Sequence, residues 1–128
     1  MDITLENIEK YLYEVKDAIS QDRYKIEFNP NRLANFDLFT NYVIDTEMAK
    51  KILLELVPTD FSKILRNEHK GYEDELLYVF GKNTILLERF SNSEKDVPLY
   101  IKFNKLENHY VIVISMHEQK YPIKYYFK

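Results

Sequence analysis

The sequence predicts an α+β domain, with N-terminal helices packed on a C-terminal antiparallel sheet. Three observations predict it. Apolar residues recur at helical spacing near the start of the chain. Four strand-like runs follow one another after residue 74. The connections between those runs are polar and mostly short, which joins antiparallel neighbours. At 128 residues, 45% hydrophobic and 30% charged, the chain is long enough for one domain (1–128) with a single core, and it is neither disordered nor fibrous.

The elements follow in order. Residues 4–20 read as an amphipathic helix, because Ile8, Leu12, Val15 and Ile19 share a face while Glu6, Glu9, Glu14 and Asp17 occupy others. Asp2 or Thr4 can cap its start. Tyr24–Phe28 alternates apolar and charged residues, which predicts a short strand, and "NPNR" (29–32) is turn chemistry. Residues 33–44 hold apolar side chains without clean periodicity and read as a loop with one helical turn. Asp45 or Thr46 caps a second helix, "TEMAKKILLELV", which Pro58 stops. Thr59–Leu65 reads as a short helix, and "RNEHKGYED" (66–74) as an exposed loop. The strand-like runs are Glu75–Lys82, Thr84–Phe90, Leu99–Phe103 and Tyr110–Met116, the first two separated at "GKN".

Composition excludes several classes of function. The chain has no Cys, so thiolate metal sites, disulfide scaffolds and a Cys nucleophile are ruled out. Its three His residues do not sit at ligand spacing, so no metal is expected. Two glycines cannot build a phosphate-cradling loop, and no nucleophile elbow is present. No apolar run approaches the roughly 20 residues that span a bilayer. The acidic, amphipathic "MDITLENIEK" is not a signal peptide. A cytoplasmic protein with no membrane partner is the expectation.

The net charge of −3 argues mildly against nucleic acid, and its uneven distribution reads most simply as ordinary solvated surface. Residues 99–128 carry five Lys against Glu107 and Glu118, a local +3 on an acidic body. Alternate strand residues share a face. Tyr100 and Lys102 form one face of their strand, opposite the apolar Leu99, Ile101 and Phe103. In the last strand, Val111, Val113, Ser115 and His117 form one set, and Tyr110, Ile112, Ile114, Met116 and Glu118 the other. A Tyr, a Lys, a Ser and a His would then make a polar patch on an aliphatic sheet. Each has a blander reading, since strand tyrosines are ordinarily packing and outward lysines ordinarily solvation.

Four blocks carry a resemblance. They are Leu56-Val57-Pro58-Thr59-Asp60-Phe61, Tyr78-Val79-Phe80-Gly81-Lys82, Tyr100-Ile101-Lys102-Phe103 and Ile114-Ser115-Met116-His117. In order and spacing, over roughly residues 50–122, the chain resembles the MqsR family of bacterial toxins within the RelE-like superfamily. The resemblance implies a RelE-like fold and the toxin of a toxin–antitoxin pair. It implies an endoribonuclease that cleaves mRNA, on or off the ribosome, without metal or other cofactor. It also implies a cognate antitoxin protein as partner. Position by position, it implies catalytic roles for His117, Tyr100 and Lys63, and RNA binding by Lys102, Lys82 and Glu75, the last standing near a glutamine used by some members.

The chemistry suits these residue types. RNA supplies its own nucleophile, the 2′-hydroxyl. Cleavage then needs a base, an acid and cations for the developing charge. His titrates near neutrality, and Lys63 and Lys102 can neutralise a phosphorane-like transition state. Tyr78, Tyr121 and Tyr125 are candidates for stacking on unpaired bases. The rival expectation is a non-catalytic interaction protein, or a degenerate toxin, on the same fold.

Overall fold

In the computed structural model, which describes residues 3–29 and 31–128, three helices and a five-stranded mixed sheet make an α+β arrangement. The elements are α1 (Leu5–Ser20), β1 (Tyr24–Ile26), α2 (Leu33–Asn41), α3 (Thr46–Leu54), β2 (Phe61–Arg66), β3 (Leu76–Leu87), β4 (Glu94–Lys105) and β5 (Val111–Glu118).

Helix α1 begins where the Thr4 hydroxyl accepts the Asn7 N–H at 3.1 Å. Asp2, the other cap considered, lies outside the described residues, as does Pro30 of the "NPNR" turn. The α1 stripe Ile8, Leu12, Val15 and Ile19 is buried, each side chain contributing about 1.5–3 kcal/mol. Helix α3 is capped by Asp45, whose carboxylate accepts the Met48 N–H at 2.8 Å. It ends at Leu54, before Pro58, and Pro58–Asp60 makes a single 3-10 turn.

The strand order is β1-β5-β4-β3-β2. Strands β2 to β5 form an antiparallel meander, and β1 adds to the β5 edge in parallel, Tyr24 opposite Val111. One sheet face carries Phe61, Phe80, Leu99, Ile101, Phe103, Val113 and Met116 into the helix-packed core.

Three segments differ from the sequence expectation, each for a physical reason. Residues 59–65 are not a short helix. A register shift between Phe61 and Lys63 puts Phe61 and Ile64, three residues apart, on the same face of β2, which imitates helical spacing. Residues 33–44 contain the nine-residue α2 rather than a loop. Its buried positions are Asn35 and Leu38 while Leu33 and Phe36 are exposed, so its apolar residues show no period. There is no turn at "GKN", and β3 runs unbroken through Gly81. Gly81 is required by packing instead, because a Cβ there would collide with the Ile123 side chain.

Candidate functional site

The face of the sheet away from α1 carries the polar patch. Strand register sets Tyr100 opposite His117 and Lys102 opposite Ser115 across β4 and β5. These four residues share that face, but not with Val111 and Val113. A bulge at Ile114 shifts the register between Lys102 and Phe103. Val111 and Val113 therefore turn into the core while Ser115 and His117 turn out of it. The set Val111, Val113, Ser115, His117 expected from strict alternation is split at that point.

Asn35 of α2 holds the bulge. Its side-chain amide donates to the Ile114 carbonyl at 3.0 Å and its oxygen accepts the Met116 N–H at 2.9 Å. It is 1% exposed, so both bonds are dry. The same amide nitrogen donates to the Glu27 carbonyl just past β1, at 2.7 Å. One asparagine thus continues the edge where β1 ends, and it fixes the direction of Ser115 and His117.

The other wall is the segment after β5. Gln119 donates from its side chain to the Leu99 carbonyl at 3.0 Å and from its backbone to the Pro98 carbonyl at 2.8 Å. The Ser62 hydroxyl donates to the Lys124 carbonyl at 2.6 Å, and the Tyr126 N–H to the Phe61 carbonyl at 3.0 Å. Residues 119–127 therefore cross from β4 to β2 over the bare backbone of Gly81.

Between these walls lies a cleft of about 850 Å³. Six basic residues line it: Arg32, Lys63, Lys102, Lys120, Lys124 and Lys128. No Asp or Glu among the described residues does so. Tyr100, Tyr121 and Tyr125 give it aromatic surface, and Tyr121 is 81% exposed.

His117 is half-buried. Its Nδ1 lies 2.9 Å from the Glu118 carbonyl oxygen. A carbonyl only accepts, so Nδ1 carries the proton and Nε2 keeps its lone pair. Burial holds the pKa below the ordinary histidine value; the Glu118 contact opposes this, while Lys120, Lys102 and Arg32 add to it. Burial likewise lowers the Lys102 pKa, with Arg32 and then Lys63 adding like-charge repulsion. Burial raises that of Tyr100. At neutral pH the arrangement is a neutral imidazole with a free base nitrogen, a protonated phenol and a lysine more willing than usual to give up its proton.

Of the residues singled out by sequence, the structure brings His117, Tyr100, Lys102 and Lys63 into the cleft. Lys82 is not there. Its register partner is Leu99, a core-face residue, and its amine reaches the Glu55 carbonyl beyond the end of α3 at 3.5 Å. Glu75 is not there either. Its carboxylate accepts from the side-chain amides of Asn67 and Asn104, at 3.0 and 2.9 Å, so it braces the loop between β2 and β3. Tyr78 stacks on Tyr11 beneath α1, ring centroids 3.6 Å apart, and is no candidate for base stacking. Sequence reasoning missed Arg32, which sat in a turn, and Asn35. No local signal marks either, since both act through contacts with distant β4 and β5.

No protein-family model, no curated protein and no solved structure matches this chain. What fold and site define is an α+β domain with a cationic, aromatic-lined cleft. Among the described residues, no helix is long and apolar enough to cross a membrane.

Proposed function

We propose that the chain is a metal-independent endoribonuclease that cleaves single-stranded RNA in this cleft, and that it serves as the toxin of a toxin–antitoxin pair with mRNA as its target. One observation carries the nuclease reading. In a chain of net charge −3, six basic residues and, among the described residues, no carboxylate line the cleft into which a histidine presents a free ring nitrogen. Such a cleft suits a polyanion, and its tyrosines suit unpaired bases. The toxin role rests on the family resemblance of the four sequence blocks.

The chemistry follows from the groups present. His117 Nε2 takes the proton of the 2′-hydroxyl, and the 2′-oxygen attacks the adjacent phosphorus. As the new P–O bond forms, the bond to the 5′-oxygen breaks, and Lys102 gives that oxygen a proton. The products are a 2′,3′-cyclic phosphate and a 5′-hydroxyl end. Lys63 and Arg32 neutralise charge on the non-bridging oxygens.

The test is to incubate purified protein with a labelled single-stranded RNA and its DNA counterpart, in the presence of a chelator. Cleavage of the RNA alone, leaving cyclic phosphate ends, is the expected result. In cells, induction should arrest growth with loss of full-length mRNA, and a cognate antitoxin should reverse it.

A second reading is a module that binds RNA without cutting it. It is favoured by the single imidazole in the cleft, which leaves the acid role to an amine or phenol. Binding of both polymers with cleavage of neither would establish it and remove the nuclease reading.

A further inference from the structure

A second hollow of about 470 Å³ adjoins the cleft, and Arg32 and Lys102 line both. The two lobes differ in chemistry. The first contains His117 and the tyrosines. Among the described residues, the second has no aromatic side chain besides His69; it has an aliphatic floor of Leu65, Leu77 and Ile114, and a wall formed by residues 66–69. That wall is pinned. The Asn67 amide donates to Glu75, its oxygen accepts the His69 N–H at 3.0 Å, and the same Glu75 oxygen is bonded to buried Asn104. Arg66, Glu68 and His69 present exposed side chains from this braced segment.

We infer that the second lobe reads the base on the 3′ side of the cleaved bond, and that Glu68 selects bases carrying an exocyclic amino group. The inference rests on the nuclease reading and deepens it. Polarity comes from the positions of base and acid. The nucleotide whose 2′-hydroxyl meets His117 occupies the first lobe, where its base stacks on tyrosine. The phosphate sits at the shared Arg32–Lys102 boundary. The nucleotide that leaves with its 5′-oxygen enters the second lobe. There a carboxylate repels phosphate, but it accepts from the amino group of adenine, cytosine or guanine, and uracil has none to offer. A fixed backbone makes that acceptor a selective one.

The experiment compares wild type with Glu68→Ala on four RNAs that differ only in the base after the cut, and on one with no base there. Affinity is measured in parallel on the same RNAs carrying a 2′-deoxy residue at the cleavage point. Wild type should disfavour uracil at that position, and Glu68→Ala should erase roughly five- to tenfold of the discrimination, the size of one or two hydrogen bonds. Both proteins should treat the abasic RNA alike. An unchanged preference in Glu68→Ala, or a change confined to the base before the cut, overturns the subsite while leaving RNA cleavage intact. Failure of wild type to bind or cut any of these RNAs overturns the nuclease reading, and the subsite with it.

Discussion

Tyr100 and His117 lie ring to ring across β4 and β5, with centroids 5.1 Å apart and planes 10° from parallel. The phenol shields one face of the imidazole, and the Glu118 carbonyl holds its Nδ1, so only one ring nitrogen is left to react. Removing the imidazole should therefore remove chemistry and not structure. His117→Ala should lower the cleavage rate by about 10²–10⁴, with a near-native circular dichroism spectrum and thermal midpoint. Cleavage by the folded variant at the wild-type rate would take His117 out of the mechanism. Tyr100→Phe keeps the stacking surface and should cost much less than His117→Ala; an equal loss would assign the hydroxyl a proton-transfer role.

The rate should be bell-shaped in pH. His117 must be neutral to act as a base, so activity rises as pH passes its pKa, and burial places that limb below the ordinary histidine value. Lys102 must be protonated to act as an acid, so activity falls as pH passes its pKa, which burial places below the ordinary lysine value. Arg32 lowers both pKa values. Arg32→Ala should therefore move both limbs to higher pH. A profile that stays fixed in Arg32→Ala would separate the limbs from these two groups.

Salt should weaken RNA binding, because cations that neutralise phosphates release counterions. For a single strand, each phosphate contact adds about 0.7 to the slope of log affinity against log salt. Lys63→Ala should lower the slope by about that amount and weaken all RNA sequences alike. Lys82→Ala should leave it unchanged, because Lys82 lies on the far side of the sheet.

Gly81→Ala tests the wall formed by residues 119–127. The new methyl group would strike the side chain of Ile123. Overpacking of this kind costs about 1–3 kcal/mol, and displacing the segment moves Lys120 and Lys124 with it. Lower stability in denaturant together with weaker RNA binding is the expected pair of results. Ser62→Ala removes only the bond to the Lys124 carbonyl and should show the same pair at about 1 kcal/mol.

Asn35→Ala would strand the Ile114 carbonyl and the Met116 N–H in a dry site, at about 1–3 kcal/mol for each group, and would also remove the donor to the Glu27 carbonyl. Urea unfolding measures the loss. Asn35→Asp keeps an acceptor for the Met116 N–H but sets a buried carboxylate against the Ile114 and Glu27 carbonyls with no donor between them, so it should be no more stable than Asn35→Ala.

Strands β1, β4 and β5, helix α1 and the shared face of Tyr100 and Lys102 with Ser115 and His117 were legible in the sequence, because each depends on a short-range period. Strict alternation nevertheless failed within β5, where it placed Val111 and Val113 with His117. It takes a bulge, and an asparagine dozens of residues upstream, to turn those valines inward. Thr59–Leu65 misled for a related reason, since the irregularity after Phe61 counterfeits a helix. Lys82 and Glu75 were near the cleft in sequence, but strand parity and a loop brace put them elsewhere. Arg32 was illegible, because nothing in "NPNR" reveals that α2 delivers it to the boundary between two lobes.

The asparagine plug also bears on how the molecule opens. Residues 24 and 111 pair in parallel across a long stretch of chain, whereas β3, β4 and β5 follow one another through local hairpins. Closing the long loop is the costlier step in entropy, so β1 and α2 are expected to dock late onto the β3–β5 meander. By the same token they should be the first to leave. The amide protons of Glu27 and Met116, bonded to the Val113 carbonyl and the Asn35 side chain, should then exchange with deuterium together and ahead of those in the middle of β4. That order of exchange would place the histidine of the cleft beside the first seam to open.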